Sequence, residues 1–340
     1  MTVDSSLPSS PAPRPARESR SIWPLVVALL LGCALPVLSC MALMVTSALS
    51  LQILALGRST SAPGVGGGGT GPAVAVIRVN GVLVSGRGTA FDTSMAASDN
   101  VIDEINQAKQ DASVKAIVLM VNSPGGSVTA SDLIYRALKN AGKPVVVMMG
   151  ETAASGGYYI SMASQWIVAN PNSLTGSIGV ISEFPNASGL LQKVGVDFVV
   201  ITSGPRKDIG SPYREMTEAE RAYWQAIVDE AYEGFVAVVA EGRHKTAEEI
   251  KPLADGGVYT GREALKLGLI DQLGYDDDAI AKAAELGGIS GKPRIVEYKQ
   301  SPSFFDLLSN LSQSRSLVPS LAEVMNLIGH PTLSARWIGQ

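Results

Sequence analysis

The chain has almost no side chains that bind transition metals or form disulfides. Its two cysteines, Cys33 and Cys40, both lie in an apolar segment near the N-terminus, and His244 and His330 are the two histidines. No disulfide framework or thiolate metal site can be built after Cys40. Most zinc-hydrolase sites need more imidazoles than this chain offers. The sequence therefore predicts neither a metal nor any other cofactor.

Positive charge is not concentrated in any part of the chain. The 27 basic and 31 acidic residues are spread along the sequence, with a net charge of -4. Proteins that bind phosphate backbones present an extended basic surface. We therefore expect no nucleic acid partner. With 46% hydrophobic residues, the chain can instead bury one or two ordinary cores.

The N-terminal region consists of three segments that differ in composition. Residues 1–21 are rich in Ser, Pro and Arg without apolar periodicity, which predicts a disordered cytoplasmic tail. Residues 22–57 contain no charged residue. Because about 20 apolar residues cross a bilayer, this segment predicts one transmembrane helix, which Pro36 kinks or divides. Residues 58–72 include four consecutive glycines and predict a flexible tether.

The charges that flank the apolar segment indicate its orientation. Arg14, Arg17 and Arg20 precede it, whereas only Arg58 follows it directly. By the positive-inside rule, the N-terminus is cytoplasmic and the rest of the chain is extracytoplasmic. The alternative is a cleaved signal peptide or a lipoprotein signal ending at Cys40. The residues before Cys40, Val-Leu-Ser, fit the pattern of such cleavage sites poorly.

From residue 73 onward, apolar strands alternate with segments of helical spacing. The pattern predicts strands over residues 73–79, 116–121, 144–149 and 198–201, and helices over residues 101–108, 127–140, 153–163 and 217–241. The last of these helices opens with a capping-box sequence at Thr217. Repeated strand-then-helix units predict an α/β domain with a mostly parallel sheet over residues 73–299. Residues 300–340 carry a helix-like apolar stripe, for which an oligomer contact and a membrane-surface helix are both open.

Two glycine-rich segments directly follow apolar strands. Residues 122–126 read Asn-Ser-Pro-Gly-Gly, and residues 154–159 read Ala-Ser-Gly-Gly-Tyr-Tyr. Open α/β sheets bind ligands at such strand ends. Because glycine allows close backbone approach, the N–H groups of Gly126 and Gly156 can point at one oxygen beside Ser155. That arrangement is an oxyanion hole next to a nucleophile. The alternative is a pair of tight turns without chemistry.

A nucleophilic serine needs a base, and the histidines are poorly placed to provide one. His244 lies in a charged stretch and His330 in the C-terminal tail. Lys207, which follows the strand predicted over residues 198–201, is the remaining candidate. A lysine acts as a base only when neutral, so it must be desolvated in the substrate complex, and Asp208 must point away from it. From spacing alone, a surface ion pair between Lys207 and Asp208 is the alternative.

Five segments together resemble the signal peptide peptidase A family of the Clp-protease/crotonase superfamily. They are residues 122–126, 154–159, 174–179, 207–211 and 259–264, in the family's order between about Val74 and Gly274. The resemblance implies a fold of repeated ββα units, and it is closest to the short, single-copy form. It also implies site roles: a nucleophile, a general base, a hydroxyl bonded to that base, and two oxyanion-hole amides. The residues in these roles are Ser155, Lys207, Ser177, Gly126 and Gly156.

The resemblance implies a membrane-bound serine endopeptidase with a Ser/Lys dyad. Such an enzyme would degrade remnant signal peptides on the outer face of a bacterial cytoplasmic membrane, binding extended peptide by strand addition. The short form implies a homo-oligomeric ring in which Ser155 of one subunit meets Lys207 of the next. The alternatives are a membrane-protein quality-control protease with the same dyad, an acyl-CoA hydratase or isomerase of the same fold, and a non-catalytic membrane scaffold. The hydratase would need acidic catalysts near the glycines and would be cytosolic.

Overall fold

The structure, a computed structural model, describes residues 71–88 and 94–298 and the backbone of residues 333–336. The predicted cytoplasmic tail, the predicted transmembrane helix, most of the glycine tether and His330 lie outside these residues. Among the residues that are described, no helix has the length and apolar character needed to cross a membrane.

Strands and helices alternate along the described part of the chain. The strands are β1 Ala73–Asn80, β2 Val82–Val84, β3 Met95–Ala97, β4 Val114–Ser123, β5 Gly125–Ser127, β6 Val145–Ala154, β7 Trp166–Ala169, β8 Leu174–Gly176, β9 Ile181–Ser182, β10 Val258–Thr260, β11 Gln272–Leu273, β12 Arg294–Glu297 and β13 Leu333–Arg336. The helices are α1 Ser98–Gln110, α2 Val128–Lys139, α3 Gly156–Ser161, α4 Ser188–Val194, α5 Glu218–Arg243, α6 Ala247–Ile250, α7 Gly261–Lys266 and α8 Asp276–Leu286, with a 3₁₀ turn over Lys251–Leu253.

The long strands form one predominantly parallel sheet. Its order is β10-β8-β6-β4-β1-β12, and β7 and β11 extend from β6. Every pairing in it is parallel except that of β10 with β8. The predicted α/β organisation with a mostly parallel sheet is thereby confirmed. One strand-strand-helix unit is formed by β4, β5 and α2.

Both faces of this sheet are buried, which explains why its strands are almost continuously apolar. Neighbouring side chains on a strand point to opposite faces. Accordingly, Ile77 of β1 belongs to a core that includes Ile134 of α2. Val76, one residue earlier, belongs to a second core with Ala279 and Ala283 of α8.

A smaller sheet lies at the glycine-rich segment that follows β4. Its order is β3-β2-β5-β13-β9. The C-terminal strand β13 runs antiparallel to both β5 and β9. The four described residues of the C-terminal tail are therefore a strand, which differs from the helix expected there. The apolar stripe at the start of that tail lies outside the described residues.

Most of the predicted elements are confirmed, with shifted bounds. These are the strands over residues 73–79, 116–121 and 144–149 and the helices over residues 101–108, 127–140 and 217–241. Helix α5 has the predicted capping box: the Thr217 hydroxyl accepts from the Glu220 amide, and the Glu220 carboxylate accepts from the Thr217 amide.

One predicted helix begins later than expected, and one predicted strand is wrong. Helix α3 begins only at Gly156, because Thr152–Ala154 continue strand β6 by pairing with β8. Residues 198–201 form no strand, and their side chains are exposed. Bulky and β-branched residues favour strands. A strand still needs a neighbour for its backbone N–H and C=O groups, and no described strand lies beside this segment.

Candidate active site

Ser155 occupies a strained turn between strand β6 and helix α3. Its backbone has φ 54° and ψ −116°, a combination that is costly for a residue with a side chain. The residue is only 1% exposed, and its amide donates to the carbonyl oxygen of Gly176 at 2.7 Å. A serine held in a strained strand-to-helix turn is typical of catalytic nucleophiles.

Ser177 follows the strand that lies beside the Ser155 turn. Ala154 of β6 and Gly176 of β8 are partners in a parallel pair, so that Ser155 and Ser177 each come directly after one of them. Ser177 also has a positive φ, 47°, and it is almost buried. Its amide donates to the carbonyl oxygen of Gly257 at 2.7 Å. The structure therefore brings the two predicted serines to adjacent strand ends.

The two glycine-rich segments also come together at this edge of the sheet. A Cβ atom on Gly157 would lie 2.8 Å from the Ser123 carbonyl oxygen, so the start of α3 packs directly on the end of β4. A Cβ atom on Gly126 would lie 2.1 Å from the carbonyl oxygen of Leu83 in β2. Only glycine fits at such a close approach. Gly156 is the buried first residue of α3, where helix amides have no partner within the helix.

Lys207 lies in an exposed turn between helices α4 and α5. Its amide donates to the Gly204 carbonyl oxygen at 3.1 Å, and its side chain is exposed. Among the described residues, no hydrogen bond joins Lys207 to Ser155 or Ser177. The single chain thus brings the two serines and the glycines to one edge of the sheet, whereas Lys207 lies in an exposed turn.

The carboxylate of Asp208 is bound by Arg214 rather than by Lys207. The Nε and one terminal nitrogen of Arg214 donate to its two oxygens at 2.8 and 2.9 Å. Hydrogen bonds from Arg214 hold the pKa of Asp208 below its usual range. The ion pair between Lys207 and Asp208, which was the alternative from spacing alone, is not formed. The Asp208 carboxylate is bound to Arg214 instead.

His244 is the histidine that lies among the described residues. His244 is exposed and ends helix α5 in a left-handed conformation, φ 54°. Within the described residues, no group of three or more His, Cys, Asp or Glu side chains could hold a metal ion.

Comparisons with known proteins decide the family. The sequence model of peptidase family S49 matches residues 137–290, and that of Clp protease matches residues 87–174. A protein named "Putative protease slr0021" from Synechocystis sp. is 38% identical over 266 residues, covering 78% of this chain and 90% of that protein. The chain belongs to peptidase family S49. The predicted resemblance is thereby confirmed, and the Clp-protease match agrees with the mixed α/β fold and its parallel sheet.

Two further relatives of this S49 member are peptidases by name. "Protease 4" of Salmonella typhi is 39% identical over 261 residues, which are 75% of this chain and 41% of that protein. "Putative signal peptide peptidase SppA" of Enterococcus faecium is 37% identical over 242 residues, which are 70% of each chain. The chain thus spans less than half of the Salmonella protein.

Sequence reasoning missed the residues that hold the Lys207 turn in this S49 chain. Arg214 lies six residues from Asp208 and six from Glu220, and its guanidinium binds both carboxylates. That spacing follows neither a helix nor a strand period, so no periodic pattern marks it. One indication of these contacts was present in the sequence, namely the capping box at Thr217, because Glu220 takes part both in that box and in the pairing with Arg214.

Proposed function

We propose that this chain is a membrane-anchored serine endopeptidase in which Ser155 is the nucleophile and Lys207 the general base. The observation that carries the proposal is the strained, buried Ser155 turn between β6 and α3. Membership of a peptidase family supports it, as do the names of the relatives.

The chemistry proceeds through an acyl-enzyme. Neutral Lys207 takes the proton of the Ser155 hydroxyl as the oxygen attacks the scissile carbonyl carbon. The N–H groups of Gly126 and Gly156 stabilise the resulting oxyanion. The C–N bond then breaks, and the Lys207 ammonium protonates the leaving amine. Neutral Lys207 next deprotonates a water molecule that attacks the ester, which releases the second product and restores the Ser155 hydroxyl. Ser177 orients the lysine by a hydrogen bond.

The dyad is completed between two copies of the chain in a homo-oligomeric ring. Lys207 is exposed in the single chain, so a partner can reach it. Close to it in sequence, residues 190–201 form an exposed apolar surface that includes Leu190, Val199 and Ile201, which are 65%, 89% and 93% exposed. Large apolar patches of this kind mark interaction sites. A second copy packed on this surface would also desolvate Lys207, as a neutral lysine requires.

Peptide substrates bind as an added strand beside β5. The chain's own strand β13 supports this mode, because it runs antiparallel to β5 and β9 and lies between them. Its residue Ala335 is the partner of Gly126, one of the two oxyanion-hole glycines. An extended peptide can use the same backbone hydrogen bonds without any particular side chain.

The substrates are remnant signal peptides, and the site lies on the outer face of a bacterial cytoplasmic membrane. The uncharged segment over residues 22–57 and the arginines before it support a single-pass anchor with the catalytic domain outside. The glycine tether gives that domain a reach of roughly 20 Å from the bilayer, where cleaved signal peptides remain. The name of the Enterococcus relative supports this substrate class.

A serine-reactive fluorophosphonate probe tests the proposal on the purified full chain. We expect stoichiometric labelling of the wild type and none of Ser155→Ala. Ser164→Ala is the matched control, because Ser164 lies just beyond α3 with its hydroxyl bound to the Ser161 carbonyl oxygen at 2.7 Å. Labelling of Ser155→Ala at the wild-type level would refute the assignment of the nucleophile.

A further inference from the structure

The turn that carries Lys207 is attached to helix α5 by one arginine. Arg214 binds both oxygens of Asp208, and it also donates to both oxygens of Glu220, one of them at 2.8 Å. We refer to these three residues as the Arg214 cluster. Asp208 directly follows the candidate base, whereas Glu220 lies in the first turn of α5. One planar guanidinium therefore joins the base-bearing turn to the helix through charge-assisted hydrogen bonds.

The helix end of this cluster is itself fixed. Glu220 accepts the Thr217 amide at 2.9 Å in the capping box, and its side chain is only 8% exposed. Hydrogen bonds from Arg214, followed by that from the Thr217 amide, lower the pKa of Glu220 to about 2. Glu220 is thus held by hydrogen bonds from two sides, and Arg214 connects the turn to a helix rather than to another loop.

Other contacts hold the turn on both sides of Lys207. The guanidinium of Arg206 lies 4.4 Å from the ring centroid of Tyr223 in α5. Gly210 lies under the Phe184 ring, where a Cβ atom would come within 2.5 Å of it. Residues on both sides of Lys207 are therefore packed against partners, while the lysine side chain is exposed.

The cluster also controls the charge next to the base. Besides Lys207, the charged side chains between residues 203 and 220 are Arg206, Asp208, Arg214, Glu215, Glu218 and Glu220. The carboxylate adjacent to Lys207 in sequence is that of Asp208, and Arg214 binds it together with Glu220, so that one positive charge is shared between two carboxylates. An unpaired carboxylate at this position would favour the protonated lysine, which cannot act as a base.

We propose that Arg214 is a positioning residue for the peptidase reaction: it holds the Lys207 turn on helix α5 and keeps the Asp208 carboxylate away from the lysine. This inference rests on the proposed function, in which Lys207 is the base. Arg214 touches neither the substrate nor the reacting atoms in this role.

The test compares the pH–rate profiles of full-length variants. Arg214→Gln removes both the attachment of the Lys207 turn to α5 and the pairing of the Asp208 carboxylate. We therefore expect kcat to fall about 10²-fold through misplacement of the base, with little change in KM. The acidic limb of kcat/KM should also move up by roughly one pH unit, since the Asp208 carboxylate is released. Adding Asp208→Asn to Arg214→Gln should return that limb to its wild-type position while kcat stays low.

Arg214→Lys keeps the positive charge without the forked hydrogen bonds and should shift the acidic limb less. It provides a second variant if Arg214→Gln does not fold.

Arg243→Gln is the matched control. Arg243, at the other end of α5, makes a similar forked pair with Asp271, at 2.7 and 3.1 Å. Its loss should lower the melting temperature without moving the acidic limb. A wild-type kcat and pH profile in the Arg214 variants would overturn the inference. It would also be overturned if activity in these variants fell only in proportion to the melting temperature, as expected for Arg243→Gln. If Lys207→Ala remained active, the proposed function would fail, and this inference with it. An inactive Lys207→Ala beside an unaffected Arg214→Gln would overturn this inference alone.

Discussion

The amide of Ser155 donates to the carbonyl oxygen of Gly176 at 2.7 Å. This bond continues the pairing of β6 with β8 by one step beyond the last strand partners, Ala154 and Gly176. It ties the strained turn at Ser155 to the residue that precedes Ser177. The relative position of the two serines is therefore set by a strand register rather than by flexible side chains.

The first prediction concerns the dyad. Ser155→Ala and Lys207→Ala should each lower kcat for a peptide substrate by at least about 10³-fold, because each removes a group that takes part in bond making or proton transfer. His244→Ala should retain nearly full activity, since this histidine is exposed at the end of α5. Peptidase assays on folded variants measure this. Substantial activity in Lys207→Ala would disprove the dyad.

The second prediction concerns Ser177. Ser177→Ala should reduce kcat about 10-fold to 100-fold, less than either dyad change, because nucleophile and base remain while the base loses its orienting hydroxyl. Steady-state kinetics with one peptide substrate provide the comparison. A loss as large as that of Ser155→Ala would mean that Ser177 takes part directly in the chemistry.

The third prediction concerns the sharing of the site between subunits. Ser155→Ala and Lys207→Ala chains are co-assembled in equal amounts, and mixed rings are verified by differently tagged chains. If Ser155 of one subunit meets Lys207 of the next, random mixing should restore about a quarter of the sites. Mixed rings without activity, or a fully active monomer, would rule out a shared site.

The fourth prediction concerns strand β13, which lies where an added peptide strand would pair with β5. Ending the chain before Leu333 should free that edge, so KM for a peptide should fall severalfold while kcat changes little. A synthetic peptide with the sequence of residues 332–340 should compete with substrate for the shortened enzyme. An unchanged or higher KM after the truncation would show that peptides do not use this edge.

The fifth prediction concerns stability and pH. Burial, with a further contribution from Glu297, raises the pKa of Glu104 in α1 from 4.5 to about 7. The folded state therefore favours the protonated form, so stability falls as the pH rises from about 4.5 through 7. At 1.36 kcal/mol per pKa unit, the whole loss is at most about 3 kcal/mol. Glu104→Gln should remove this loss.

Thermal unfolding at pH 5 and pH 8 measures this effect. Glu104→Gln should be more stable than the wild type at pH 8, with a smaller difference at pH 5. The control is Glu285→Gln, which removes a carboxylate that is 66% exposed beside Lys282. If thermal stability depended on pH equally in the wild type and in Glu104→Gln, the raised pKa of Glu104 would be contradicted.

Local sequence determined the elements whose own residues suffice to specify them. The apolar strands β1 and β4 and the α2 and α5 helices were predictable, because strand periodicity and helix capping act over a few neighbouring residues. The glycine at 126 was predictable as a position of close approach for a similar reason: a missing Cβ is readable from the residue alone. The pairing of Ser155 with a glycine-rich turn followed from the same local pattern.

Tertiary structure decided what depends on partners distant in sequence. Thr152–Ala154 became strand because β8 provides partners for their backbone hydrogen bonds. Residues 198–201 remained outside any strand because no described strand provides such partners for them. Arg214 selected Asp208 and Glu220 through the folding of a loop onto a helix, an arrangement without sequence periodicity. Backbone pairing and ion pairing depend on which groups meet in space, and only the folded chain brings these groups together.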